Sequence, residues 1–163
     1  MNSSVLNPTK LAVLYYFGDL GYWKLPDIAT EALAAGFDGA ALRKLSGLTN
    51  VVASDLIPAD IDAAFREMGV DSPISKDAAR LALAAESVKK ALGGHSNVFD
   101  EATHIRIHLC ELEDSSPELH RIVNLAQQAR KAPRSTWKAL EDELRTAMSQ
   151  FLECQSQVID LAQ

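Results

Sequence analysis

Proline opens and glycine closes most of the apolar stretches in this chain, and that punctuation belongs to helices. Proline has a fixed φ and no amide proton, which suits the first helical position. Glycine tolerates the left-handed conformation in which many helices end. Asn7-Pro8 sets a capping side chain before such a proline. The helix it starts is expected to run to about Leu20 and stop at Gly21. Pro26 opens a second helix and Gly36 closes it. Asp38 is expected to cap a short third helix that ends at Gly47. Pro58 opens a fourth, ended by Gly69. Between them, residues 48–57 are apolar and irregular and carry no assignable pattern.

The second half continues the theme. Ser75 is expected to cap a longer fifth helix, in which Leu81, Ala85, Val88 and Leu92 fall at helical spacing before Gly93-Gly94. Asn97 caps a sixth. The stretch HIRIHLCELE, residues 104–113, alternates apolar and polar residues like a strand. Yet Val98, Ala102, Ile105, Leu109 and Leu112 step by fours and threes, so helix is expected there. Pro117 opens a seventh helix with Leu119, Ile122, Val123 and Ala126 on one face, and Ser135 is expected to cap the eighth. In the eighth, Trp137, Leu140, Leu144, Ala147, Phe151, Cys154, Val158 and Leu161 form a seven-residue apolar repeat over 25 positions. Its plain reading is the inward seam of a bundle; the alternative is a seam joining two copies in a structural homodimer.

These elements imply an all-α protein: a single domain over residues 1–163, built as a multi-helix bundle of about eight helices with a long C-terminal amphipathic helix. If it divides, the turn at 69–75 separates subdomains 1–70 and 75–163. No apolar run approaches the roughly 18 residues a membrane span needs, so no membrane association is expected. The N-terminal residues show no basic-then-apolar leader, and there are two cysteines, Cys110 and Cys154. Both features point to a reducing cytoplasm. The net charge is −6, with 5 basic and 9 acidic side chains in residues 1–73 and 11 and 13 in residues 74–163. Neither half is basic, so nucleic acid is not an expected partner.

Constellations of catalytic type are sparse. His104 and His108 stand four apart, so on a helix they share a face and could both ligate a transition metal, with Glu101 and Glu111 along the same stripe. A small metal-binding protein or enzyme using this pair is one alternative. A helix stripe of His and Glu is more often a solvated face with weak pairs, and no metal is the primary expectation. Both cysteines lie on or beside apolar seams, where cysteine acts as a small hydrophobe. No nucleophile elbow and no glycine-rich phosphate loop occurs, so no cofactor is expected. Asp60 and Asp62 are set two apart and point to different sides of a helix. Arg130, Lys131, Arg134 and Lys138 gather four cations in nine residues beside Pro133, which reads first as helix-end chemistry. They could also hold a phosphate or an acidic segment. Trp137, the one ring among them, is claimed by the apolar repeat.

The aromatic residues are unevenly placed. Of ten rings, Tyr15, Tyr16, Phe17, Tyr22 and Trp23 fall within nine residues. Five rings cannot all point inward from one helix end. Tyr15 continues the Leu11–Leu14 face and Phe17 is wholly apolar, so both are expected in the core. Tyr16, Asp19, Tyr22 and Trp23 are the candidate partner-binding residues, because Tyr and Trp contribute large contact area and a polar tip. The opposing reading folds Tyr22 and Trp23 over the first two helices as a seal.

The stretch LPDIATEALAAGFDGAALRKLSGL, residues 25–48, has an acidic helix, a Gly-x-Asp turn and an LR-x-L-x-G helix. A Phe-Arg-x-x-Gly helix end follows at residues 65–69. This pattern, over the first 90 residues or so, resembles small uncharacterised bacterial helical proteins. Some of those look like immunity or accessory proteins of bacterial toxin systems. The resemblance implies a non-enzymatic cytoplasmic binding protein that neutralises or escorts a protein partner, and it brings no catalytic residue with it.

Overall fold

The computed structural model describes residues 6–109, 116–155 and 158–161. Among these the chain is all-α, with eight α-helices and no strand. They are α1 Pro8–Phe17, α2 Leu25–Ala34, α3 Ala40–Ser46, α4 Pro58–Glu67, α5 Lys76–Leu92, α6 Val98–His104, α7 Pro117–Lys131 and α8 Trp137–Cys154. The chain gathers into two compact units. Unit 1 holds the residues up to Ala79 together with the returning stretch from Asp160; unit 2 is Arg80–Ile159. The division therefore falls inside α5, not in the turn at 69–75.

In unit 1, α2 packs on α3 and α3 on α4. Val13, Leu25, Leu42, Leu45, Ile61 and Phe65 are buried there. Asn7 caps α1 as expected: its Oδ1 accepts from the Lys10 amide at 2.9 Å, while its Nδ2 donates to the Leu161 carbonyl at 3.0 Å. The helix stops earlier than the apolar run does. Gly18 takes φ 106°, and its amide reaches the Leu14 and Tyr15 carbonyls. The amides of Asp19 and Leu20 then also close on Leu14. The deepest side chains of α1 are Ala12 and Val13, while Leu11, Leu14, Tyr15 and Phe17 are half-buried. A segment apolar nearly all round carries no periodicity to say which face turns inward.

Helix α3 is capped from outside its own sequence. Asp38 does not cap it; that carboxylate pairs with Arg43 at 2.7 Å. Glu67, at the end of α4, accepts from the Ala41 amide at 3.0 Å and the Leu42 amide at 2.8 Å. Gly39 makes the approach possible, because a Cβ there would lie 1.9 Å from the Glu67 carboxyl carbon. The irregular stretch 48–57 holds one short 3-10 turn, Ala53–Asp55, whose Asp55 carboxylate accepts from the Val52 amide.

In unit 2, α7 and α8 pack together and α6 packs on both. Arg121, near the start of α7, donates to Gln150, near the end of α8, at 2.8 Å, so the two helices run antiparallel. Asn97 caps α6 and Ser116 caps α7 through side-chain oxygens. Ser135 does not cap α8. It lies in a 3-10 turn, Arg134–Thr136, that leads straight into the helix. Along α5, Ala82, Ala84, Ala85, Ser87, Val88 and Ala91 are buried, whereas Leu81 and Leu92 are half-buried. Burial thus extends round most of that helix. After α6 the backbone widens into a π-helical turn, Ile105–Leu109, so the expected helix continues there in a looser form. Residues 110–113 of that expectation, Cys110 among them, lie outside the described residues.

Helix α8 is the long C-terminal amphipathic helix, but its buried stripe differs from the seven-residue repeat. Leu144, Ala147, Met148 and Phe151 are buried; Trp137 and Cys154 are exposed. The helix ends at Cys154, so Val158 and Leu161 are not part of it. Trp137 and Cys154 are the first and last residues of the helix, and the buried stripe lies between them. Leu144, Ala147 and Phe151 of the repeat are buried in the core of unit 2.

Candidate binding groove

Segment 18–24 folds back from α1 to α2 and forms one wall of a groove in unit 1. After the Gly18 stop, Gly21 is extended and the 3-10 turn Tyr22–Lys24 runs directly into α2. Gly21 does not end a helix, and its role is spatial. A Cβ there would fall 2.3 Å from the Trp23 indole, so only glycine lets the ring lie on the backbone. The Tyr22 and Trp23 rings meet edge to face, 5.4 Å apart and at 80°. Trp23 is nonetheless 62% exposed. It neither seals the core nor swings freely.

The groove has a volume of about 610 Å³ and is lined by Tyr15, Tyr16, Asp19, Tyr22, Trp23 and Asp62, and by the exposed Lys24. All four candidate residues from the sequence meet in it. Tyr15 and Tyr16 do not divide into core and surface as their positions suggested. Both are half-buried, with ring centroids 5.2 Å apart, and each ring lies 5.8 Å from Phe65.

The Tyr16 hydroxyl donates a short hydrogen bond to Asp62 Oδ1 on α4. Burial, and then the bond to that carboxylate, push the Tyr16 phenol well above its ordinary value. Burial and the Asp62 charge push Tyr15 up as well. Both phenols are therefore protonated at neutral pH, and Tyr16 acts as a hydrogen-bond donor. Asp62 is the residue that sequence reasoning passed over. The spacing to Asp60 did place them on different sides: Asp60 pairs with Lys44 at 2.5 Å, and Asp62 faces the groove. No sequence signal ties Asp62 to Tyr16, 46 residues away.

Elsewhere the candidate groups stay apart. The His104 and His108 rings lie 5.0 Å from each other on an exposed face, with Ser87 Oγ 3.3 Å from His104 Nδ1. Among the described residues no three His, Cys, Asp or Glu side chains gather as metal ligands would. Arg130, Lys131, Arg134 and Lys138 are all exposed. Trp137 stands among them, not in the core. It is 44% exposed, packed against Phe99 at 5.6 Å and donating from Nε1 to the Ala132 carbonyl at 3.2 Å. Cys154 is exposed as well. No helix among the described residues is long and apolar enough to cross a membrane. No family model, curated protein or solved structure matches this chain.

Proposed function

We propose that this chain is a non-enzymatic binding protein that docks a protein partner along the aromatic, acidic groove of unit 1, in the manner of an immunity or accessory protein of a bacterial toxin system. The observation that carries the reading is Trp23, an indole left largely exposed at the groove yet laid against the backbone of Gly21 and the edge of Tyr22. Free side chains lose rotamer freedom on binding, and a ring already held loses less. Large aromatic side chains in such positions dominate the energetics of many interfaces. The surplus of acidic residues in the N-terminal half adds long-range attraction for a basic partner.

The test is co-expression with the product of the neighbouring reading frame, together with capture by the purified chain from its native cells. Wild-type protein is expected to protect against, or retain, a specific partner. Trp23→Ala should lose that partner while melting at nearly the wild-type temperature. Retention undiminished by Trp23→Ala and Tyr22→Ala would overturn the reading.

A further inference from the structure

We infer that the groove receives an arginine side chain carried on a basic segment of the partner. The inference rests on the docking reading above and specifies its chemistry.

The starting point is a carboxylate that forms no ion pair among the described residues. Asp62 is half-buried, and the partner it has is the hydroxyl of Tyr16, a neutral donor. A partly desolvated carboxylate is stabilised by a cation, and the sequence supplies one at the favourable spacing: Arg66 follows Asp62 by four residues on the same helix. The structure turns Arg66 away. Its Nε donates to the Ser72 carbonyl at 2.9 Å. The next acid on α4 behaves in the ordinary way, since Asp60 takes Lys44. Asp62 is thus kept from its natural neighbour and left facing the groove, where Asp19 adds a second negative charge.

The walls suit the same guest. Tyr15, Tyr16, Tyr22 and Trp23 line the groove, and aromatic rings attract cations through their quadrupoles, most strongly indole. Arginine fits better than lysine for two reasons. Its guanidinium is planar and weakly hydrated, so it stacks on Trp23 at a lower desolvation cost. Its fork of N–H donors can also engage a carboxylate while the plane stays against a ring. An anionic guest would meet two carboxylates. A metal ion would find two carboxylates and, among the described residues, no cluster of three ligands. A groove of about 610 Å³ is also far larger than one guanidinium needs, which leaves room for the segment bearing it. Lys24, also in the lining, works against the guest, and that gives the proposal a signed consequence.

The experiment uses the full chain with Trp137→Phe, so that Trp23 is the only indole. Short capped Gly/Ser peptides containing two Arg, two Lys, two Glu or no charge are titrated by fluorescence and calorimetry. The Arg peptide is expected to give a saturable change in Trp23 emission. The Lys peptide should bind several-fold more weakly, and the other two should give none. Asp62→Asn keeps an acceptor for Tyr16 and removes the charge; it should weaken the Arg peptide by about tenfold or more, as losing one partner of a desolvated charge pair does. Lys24→Gln, which removes neither partner of the Tyr16–Asp62 bond, should tighten it. Equal binding of the uncharged peptide, or affinity indifferent to both Asp62→Asn and Lys24→Gln, overturns the inference. If the whole partner is still captured in a Trp23-dependent way, the docking reading survives that result. If Trp23→Ala leaves capture intact, the docking reading itself falls.

Discussion

The carboxylate of Glu67 lies where a side chain at Gly39 would have to be, and from there it holds the first amides of α3. Gly39 has φ 171°, extended backbone open to any residue, so the demand at this position is for space and not for conformation. Gly39→Ala should therefore displace Glu67 and leave the start of a seven-residue helix uncapped. Loss of a cap costs about 1–2 kcal/mol. The measurement is a double-mutant cycle by chemical denaturation. Gly39→Ala should cost that amount in wild-type protein and much less when Glu67→Ala is already present. Additive costs would mean that the two residues act independently.

A second expectation concerns alkaline pH. The Tyr16 phenol has its folded pKa raised by burial and by Asp62, whereas in the unfolded chain it sits near its ordinary value of about 10. Its contribution is thus fully present below pH of about 10 and is lost as the pH rises from there through the raised folded value. Tyr16→Phe should cost about 1–2 kcal/mol at pH 7, for one hydrogen bond to a charged group at a half-exposed site. The gap between wild type and Tyr16→Phe should then narrow above pH 10. A gap that stays constant or widens there would contradict the assignment.

A third tests α8. Phe151 is fully buried, so Phe151→Asp places an unpaired charge in the core of unit 2 at a cost of several kcal/mol, against a typical total of about 5–15. Loss of cooperative unfolding or insoluble expression is expected. Unchanged stability with a shift from dimer to monomer in sedimentation would instead show a seam between copies.

A fourth concerns Cys154. Partial desolvation, then the carboxylates of Glu118 and Glu153, push its thiol above the ordinary value. The thiolate is the reactive form, so this exposed cysteine should alkylate slowly at pH 8, and faster as the pH rises. Site-resolved mass spectrometry separates it from Cys110. Glu118→Gln should speed the reaction at Cys154; no change would argue against the carboxylate's influence.

Helix starts were legible where the signal is local. Asn7, Ser75 and Asn97 cap the helices that follow them, because a cap reaches only two or three residues. What depended on distant residues was not legible. Asp38 stood in the usual place for a cap, but Glu67 arrives from another helix and takes the role. Gly21 looked like a helix stop, and its purpose became visible only with the Trp23 ring lying on it. The aromatic cluster could be marked as a candidate from its density alone. Its acidic floor could not, since Asp62 reaches Tyr16 only through the packing of α4 against α1. In α8 the seven-residue repeat misassigned Trp137 and Cys154, which are the first and last residues of the helix, because spacing alone does not say where along a helix the core ends.

The bond between Asn7 and Leu161 joins positions 154 residues apart and ties the returning strand of chain into unit 1. Its consequence lies in the order of synthesis. The ribosome releases all of unit 2 before it releases the residues from Asp160 onward. Unit 1, begun first, still lacks its last piece when the last residue of unit 2 is made. The half that carries the groove is then the half that finishes late, and until Leu161 emerges the Asn7 side chain has no carbonyl there to meet.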